Sequence, residues 1–185
     1  MSSKEVADFV KCNRTRRVDP VALVFYKESL GVGEGLTVLC DVSFIKWYFL
    51  NEGNSPSRSL GKLLEVEHYS LVTTGCVQEA MDLWYKLDGD HKSPKVAGRV
   101  EVMRNMSCFC GHIAEYINPK ECIEEEFKEQ HTREYFFASV DKVLIAKIKK
   151  HGTPVITVSK GKLILLQPTR AEKRLLEVAK ETRIQ

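Results

Sequence analysis

The chain has 185 residues, 43% hydrophobic and 29% charged, with a formal net charge of +3. That length suits one core-bearing domain with short extensions, and the balance excludes disordered and fibrous classes. No apolar run approaches the roughly 18 residues of a membrane helix, and MSSKEVADFVKCNRTRR lacks the apolar centre of a signal peptide, so a soluble intracellular protein without a membrane partner is expected.

Residues 1–20 form a basic arm in which Lys11, Arg14, Arg16 and Arg17 follow one another with no intervening acid. From Val21, VALVFYKESLGVGEG reads as a short helix and a glycine turn. LTVLC, Leu36 to Cys40, is a continuous apolar run of strand length with Asp41 at its carboxyl end, the pattern of a buried parallel strand. VSFIKWYFLNEG predicts a helix closed by Gly53, and NSPSRS a loop whose Ser59 caps the helix LGKLLEV. HYSLVTT is a second strand, which sets Thr74 level with Asp41.

CVQEAMDLWYKL, from Cys76, spaces Val77, Met81 and Trp84 as an amphipathic helix. SPKVAGRVEVMRNM predicts another, with Ser93 as cap and Pro94 first. CIEEEFKEQHT is a helix with a solvated acidic face, and EYFFASV a third strand ending near Asp141. KVLIAKIKKHG is a helix stopped by Gly152, and TPVITVS and LILLQP are strands joined by KGK. TRAEKRLLEVAKETRIQ, residues 169–185, is a charged terminal helix. Strands alternating with helices point to a mostly parallel α/β domain over residues 21–168.

Six cysteines in a reducing compartment are thiols or metal ligands rather than disulfides. Cys40 and Cys76 sit in apolar context as small buried hydrophobes. The stretch CFCGHIAEYINPKEC instead gathers Cys108, Cys110 and Cys122 around His112. Three Cys and one His satisfy a tetrahedral zinc with no open position, which makes such a site structural.

Asp41 and Asp141 fall beyond strand ends, where open parallel sheets bind ligands. Two carboxylates invite Mg²⁺ and phosphodiester chemistry, but a working site needs more oxygens than two Asp supply. No Ser/His/Asp arrangement is evident, and GVGEG lacks the spacing and preceding strand of a phosphate loop. From Lys142 to Lys162 there are six lysines and no acid: Lys142, Lys147, Lys149, Lys150, Lys160 and Lys162. Together with the arm they form a candidate RNA surface that gains affinity by counterion release. Trp47, Tyr48, Trp84 and Tyr85 fall within apolar helical patterns and are expected to pack rather than stack on bases.

In order, LTVLCDVSFIKWYF, TTGCVQEAMDL and FFASVDKVLIAKIKKHGTPVITV look like the PIN nuclease fold. The helix before the first strand, the Cys-x-His-x₉-Cys spacing of Cys110, His112 and Cys122, and LILLQPTRAEKRLLEVAK resemble the U-three-protein-twenty-three family from about residue 21 onward. That resemblance implies a PIN-like three-layer α/β/α domain with a mostly parallel sheet and a CCHC-type zinc knuckle inserted at about 105–122. In PIN nucleases of this branch an Asp closes the first strand, a Glu lies on the helix after the second, and Asp residues follow the third. Asp41 and Asp141 match, whereas the Glu position falls on Ala80 and the second late Asp on Val143. On that helix Glu79 and Asp82 point ~100° and ~200° away from position 80. Lys142 adds positive charge beside Asp141.

The implication is a chain with no catalytic residues, Asp41 and Asp141 being vestigial. The family's first knuckle Cys falls on Asn105, leaving Cys108 or Cys12 as the fourth ligand. The resemblance further implies a nucleolar RNA-binding factor of early small-subunit pre-rRNA processing that contacts an H/ACA small nucleolar RNA and other processome proteins and takes no small-molecule substrate. The alternatives are a metal-dependent endoribonuclease using Asp41, Asp141 and a displaced Glu79 or Asp82, or a scaffold that binds only protein.

Overall fold

A computed structural model describes residues 20–31, 35–50, 56–87, 103–104, 106–108, 110, 118–128 and 135–183. Helix α1 (Pro20–Leu30) leads into β1 (Leu36–Cys40), α2 (Val42–Leu50), α3 (Pro56–Leu64), β2 (Tyr69–Thr73) and α4 (Gly75–Leu87). A two-residue strand, β3 (Ser107–Cys108), precedes α5 (Pro119–Lys128), β4 (Phe136–Ala138) and α6 (Lys142–Ile148). A 3₁₀ turn at Lys149–His151, a hairpin of β5 (Val155–Ser159) and β6 (Lys162–Leu165), and α7 (Arg170–Arg183) complete the order. The fold is the expected PIN-like three-layer α/β/α arrangement.

The six strands run β3-β2-β1-β4-β5-β6, all neighbours parallel except β5 and β6. Lys160 and Gly161, both with positive φ, are the only residues between that last pair. A two-residue turn of this kind joins antiparallel strands and cannot provide a parallel crossover.

Adjacent residues on a strand face opposite ways, and β4 uses this to hold both helical layers. Phe136 meets Tyr26 of α1 edge to face, with ring centroids 6.4 Å apart. Phe137 meets Phe127 of α5 at 5.5 Å on the other side. Helix α7 packs on α1, while α6 packs on α5, and α4 on both α2 and α5. Trp47, Tyr48, Trp84 and Tyr85 lie half-buried against the core, as their spacing predicts.

Several boundaries shift for local reasons. Helix α3 starts at Pro56, whose fixed φ suits the first turn, so Ser59 lies inside the helix rather than capping it. Helix α5 starts at Pro119, ahead of Cys122, because the Asn118 side chain accepts a hydrogen bond from the Lys120 N–H at 3.0 Å. Of the helix expected over 93–106, only helical Met103 and Arg104 and a bend at Met106 lie within the described residues. The basic arm, including Lys11, Cys12, Arg14, Arg16 and Arg17, also lies outside them.

Helix α7 is held by a buried ion pair. Thr169 and Glu172 form a capping box: the Thr169 N–H donates to Glu172 Oε2 at 2.6 Å, and the Glu172 N–H to Thr169 Oγ1 at 3.2 Å. The other oxygen, Oε1, faces Lys149 Nζ at 3.1 Å, with the two side chains 7% and 3% exposed. Lys149 also donates to the Gln167 carbonyl at 3.0 Å. This corrects the expectation that Lys149 belongs to an RNA surface: the 3₁₀ turn swings it inward, away from Lys150, which stays exposed.

Removing one partner of a buried pair strands the other charge. Glu172→Ala is therefore expected to destabilise the fold by about 3–5 kcal/mol, whereas Lys149→Met combined with Glu172→Leu should cost much less. Denaturant unfolding of both variants checks this.

Candidate functional site

Two groups of side chains assemble at the carboxyl ends of the parallel strands. Cys40 pairs with Ala138 at the ends of β1 and β4, so Asp41 and the segment 139–141 emerge side by side. The Asp41 N–H closes the gap by donating to the Ala138 carbonyl.

Asp41 is 3% exposed and its carboxylate is occupied by donors. Oδ1 accepts from the Phe44 N–H at 2.7 Å, which caps α2, and Oδ2 accepts from Ser139 Oγ at 2.8 Å. Ser43 Oγ lies 2.9 and 2.8 Å from the two oxygens. The same hydroxyl accepts from the Val140 and Asp141 N–H groups, stitching the β1 and β4 exits together. Burial pushes the Asp41 carboxyl above its usual range, against the pull of the Phe44, Ser43 and Ser139 donors; the nearby Asp141 charge adds to the rise.

Asp141 caps α6, its Oδ1 accepting from the Val143 and Leu144 N–H groups at 2.9 and 3.2 Å. Its Oδ2 pairs with Lys120 Nζ of α5 at 2.5 Å. Burial opposes ionisation, but the Lys120 ammonium and the two backbone donors outweigh it and hold this carboxyl below its ordinary value. The cation beside Asp141 is thus Lys120, not the expected Lys142, which is exposed. Ala80 is half-buried and Val143 exposed. Glu79 is exposed, and Asp82 pairs with Arg104 at 3.0 Å.

A divalent cation such as Mg²⁺ does not fit this pocket. It needs several free, geometrically strict oxygen ligands. Both oxygens of Asp41 are engaged by Ser43, Phe44 and Ser139, and an ammonium already sits on the outward oxygen of Asp141.

The second group is made of thiols. Cys76, Cys110 and Cys122 place their sulfurs within 4.8 Å of one another, with Cys76 and Cys110 Sγ 4.0 Å apart. A tetrahedral metal with sulfur ligands at ~2.3 Å spaces them at about 3.8 Å, so the trio fits three corners of such a site. Burial raises the Cys122 and Cys76 thiols above their usual range, so loading a metal there must displace protons.

Cys110 and Cys122 meet as the spacing predicts. Cys76 corrects its reading as a mere small hydrophobe: it is buried, but in the first turn of α4, where its thiol joins the other two. A Cβ at Gly75 would lie 3.4 Å from Cys110 Sγ, so the Cys110 side chain packs against the start of α4. Gln78 donates to the Met103 and Met106 carbonyls at 3.2 and 3.0 Å and pins the incoming chain. Cys108 is described by its backbone, which pairs with Thr73; His112 and Cys12 lie outside the described residues. The signal for Cys76 is its place after TTG, at the strand end that also faces the cysteine-rich segment.

Of the expected cationic surface, Lys142, Lys147, Lys150, Lys160 and Lys162 are exposed, and Lys147 pairs with Glu124 at 2.6 Å.

Comparison with known proteins adds three findings. The family model Fcf1 matches residues 62–167, which include all three clustered thiols, Lys120 and Asp141. Among solved structures, the chain is similar to the PIN domain endonuclease Utp24, with a TM-score of 0.56 and 20% identity over 71% of this chain and 91% of that one. No curated protein matches.

Two outcomes follow from the geometry. Cys76→Ser is expected to abolish whatever metal the thiol trio holds, and its retention by the parent should weaken as pH falls because protons compete for thiolates. Elemental analysis after gel filtration at two pH values checks both. Asp141→Ala is expected to cost about 1–2 kcal/mol at neutral pH by removing the cap of α6. Because the folded-state pKa of Asp141 is depressed, its ionic contribution is present above the ordinary carboxylate pKa and is lost as pH falls through the folded value. The stability gap between parent and variant should therefore narrow in acid, as denaturant melts across pH will show.

Proposed function

Because the chain belongs to the Fcf1 family, we propose that it acts in ribosome biogenesis as a non-catalytic RNA-binding factor of early small-subunit pre-rRNA processing. The observation that carries the non-catalytic part is the closed carboxylate pocket. Both Asp41 oxygens are engaged by Ser43, Phe44 and Ser139, Asp141 is paired with Lys120, and Ala80 and Val143 stand where acids are expected. Such a pocket organises the exits of β1 and β4 rather than a hydrated cation.

In this reading the thiol cluster holds zinc, with His112 as fourth ligand to Cys76, Cys110 and Cys122. That set is closed and structural, and it leaves neither Cys108 nor Cys12 a required role. Its work is to tie α4, the cysteine segment and α5 together.

RNA contact falls to the exposed lysines, with the arm residues Lys11, Arg14, Arg16 and Arg17 as a second surface, all acting on phosphates. Pre-rRNA, a small nucleolar RNA of the H/ACA class and neighbouring processome proteins are the proposed partners, and the nucleolus the proposed site of action.

A metal-dependent endoribonuclease is the competing reading, favoured by the presence of Asp41 and Asp141 at neighbouring strand ends. Purified protein is expected to leave single-stranded RNA intact in Mg²⁺ or Mn²⁺; cleavage abolished by Asp41→Asn with Asp141→Asn would establish the enzyme instead. Charge reversal at Lys142, Lys150 and Lys160 is expected to weaken RNA binding about tenfold or more. The slope of log affinity against log salt should shrink by about one for each phosphate that is no longer neutralised. Filter binding across a salt series measures this, and unchanged affinity at low salt would favour a protein-only scaffold. Nucleotide-resolution crosslinking in cells should enrich pre-rRNA and small nucleolar RNA, and enrichment of unrelated messenger RNA would sink the ribosome-assembly reading.

A further inference from the structure

We infer that Lys120 is a built-in counter-ion that stands in for a divalent cation on Asp141 at the ends of β1 and β4, and that it keeps metal off Oδ2, the Asp141 oxygen that caps no helix. The inference rests on the non-catalytic reading above and names the residue responsible for it.

Two carboxylates emerge side by side from neighbouring strands, and their charges repel. Hydrogen bonds from Ser43, Ser139 and Phe44 satisfy Asp41 without neutralising it. The only ion pair to either carboxylate among the described residues is that of Lys120 with Asp141 Oδ2. The outward oxygen of Asp141 is the one left over once Oδ1 has capped α6, so it is the atom a metal would need.

The position of Lys120 is prepared rather than incidental. Asn118 caps the Lys120 N–H, and the Asn118 carbonyl accepts from the Cys122 N–H at 3.0 Å, which sets the first turn of α5. Two residues after Lys120, Cys122 enters the thiol cluster and is fully buried. The first turn of α5 thus has one end in the thiol cluster and the other over Asp141. A lysine on an unanchored helix would exchange with solvent cations; one held this way competes with them continuously. Its side chain is 59% exposed, so replacing it removes charge without opening the core.

The test uses the full chain, with its thiol cluster loaded beforehand, titrated with Mn²⁺ and followed by the electron paramagnetic resonance signal of the free ion. The parent is expected to show no Mn²⁺ binding that depends on Asp141. Lys120→Met and Lys120→Gln are each expected to gain a site about tenfold tighter or more than any in the parent, as removal of a contacting positive charge requires. Asp141→Asn in either background should abolish that site, and Lys120→Arg should behave as the parent. Bound Mn²⁺ should also raise the melting temperature of Lys120→Met but not of the parent. An Asp141-dependent site already present in the parent, or folded Lys120→Met and Lys120→Gln proteins that gain none, would overturn the inference. Failure of the non-catalytic reading is seen separately, as RNA cleavage by the parent.

Discussion

The parallel pairing of β1 with β4 is the constraint on which the rest of the carboxyl-end chemistry depends. Once Cys40 is level with Ala138, Asp41 and Asp141 must leave the sheet together, and each must also start a helix. Both carboxylates solve the helix problem in the same way, by accepting from backbone N–H groups of the first turn. That solution uses oxygen lone pairs, and every one committed to a cap or a serine is withheld from a ligand. The pocket is therefore defined as much by the capping of α2 and α6 as by the identity of its acids.

Charge then separates the two residues. Asp41, buried and surrounded by neutral donors, is pushed toward its protonated form, while Asp141, beside an ammonium, is held ionised. Opposite shifts in neighbouring carboxyls often accompany general acid and base roles. Here the burial of Asp41 and the Lys120 ammonium beside Asp141 explain both shifts without a substrate. Perturbed carboxyls of this kind also arise where acids cap helices at a strand junction, as Asp41 and Asp141 do.

Much of the fold can be read from the order of residues because its strongest signals are local. LTVLC and EYFFASV are apolar runs of strand length followed by an acid, and the strands they specify place Asp41 and Asp141 where expected. Lys149 shows the limit. Within AKIKKHG its charge looks identical to that of Lys150, and only the 3₁₀ turn and a partner further along the chain, Glu172, turn it inward. Lys120 and Cys76 escape for the same reason: their significance lies in contacts with Asp141 and with Cys110 and Cys122, across separations that no periodicity encodes. The strand β3, two residues long, carries no apolar run at all and exists because β2 offers it an edge.

The thiol cluster and the carboxylate pocket are one mechanical unit. Helix α5 reaches both within its first turn, Lys120 toward Asp141 and Cys122 toward Cys76 and Cys110. Helix α4 joins from the other side: Thr74 Oγ1 accepts from the Val77 N–H to cap it, and Gln78 holds the segment that brings Cys110. Neither Cys76 nor Cys110 lies on the strand that leads to Asp141, so the thiols link elements that the sheet alone leaves separate. A metal there would act at a distance on the pocket by fixing the first turn of α5, and with it the lysine that neutralises Asp141. Through Cys122 the thiol cluster is thereby coupled to the same turn of α5 that sets Lys120 against Asp141.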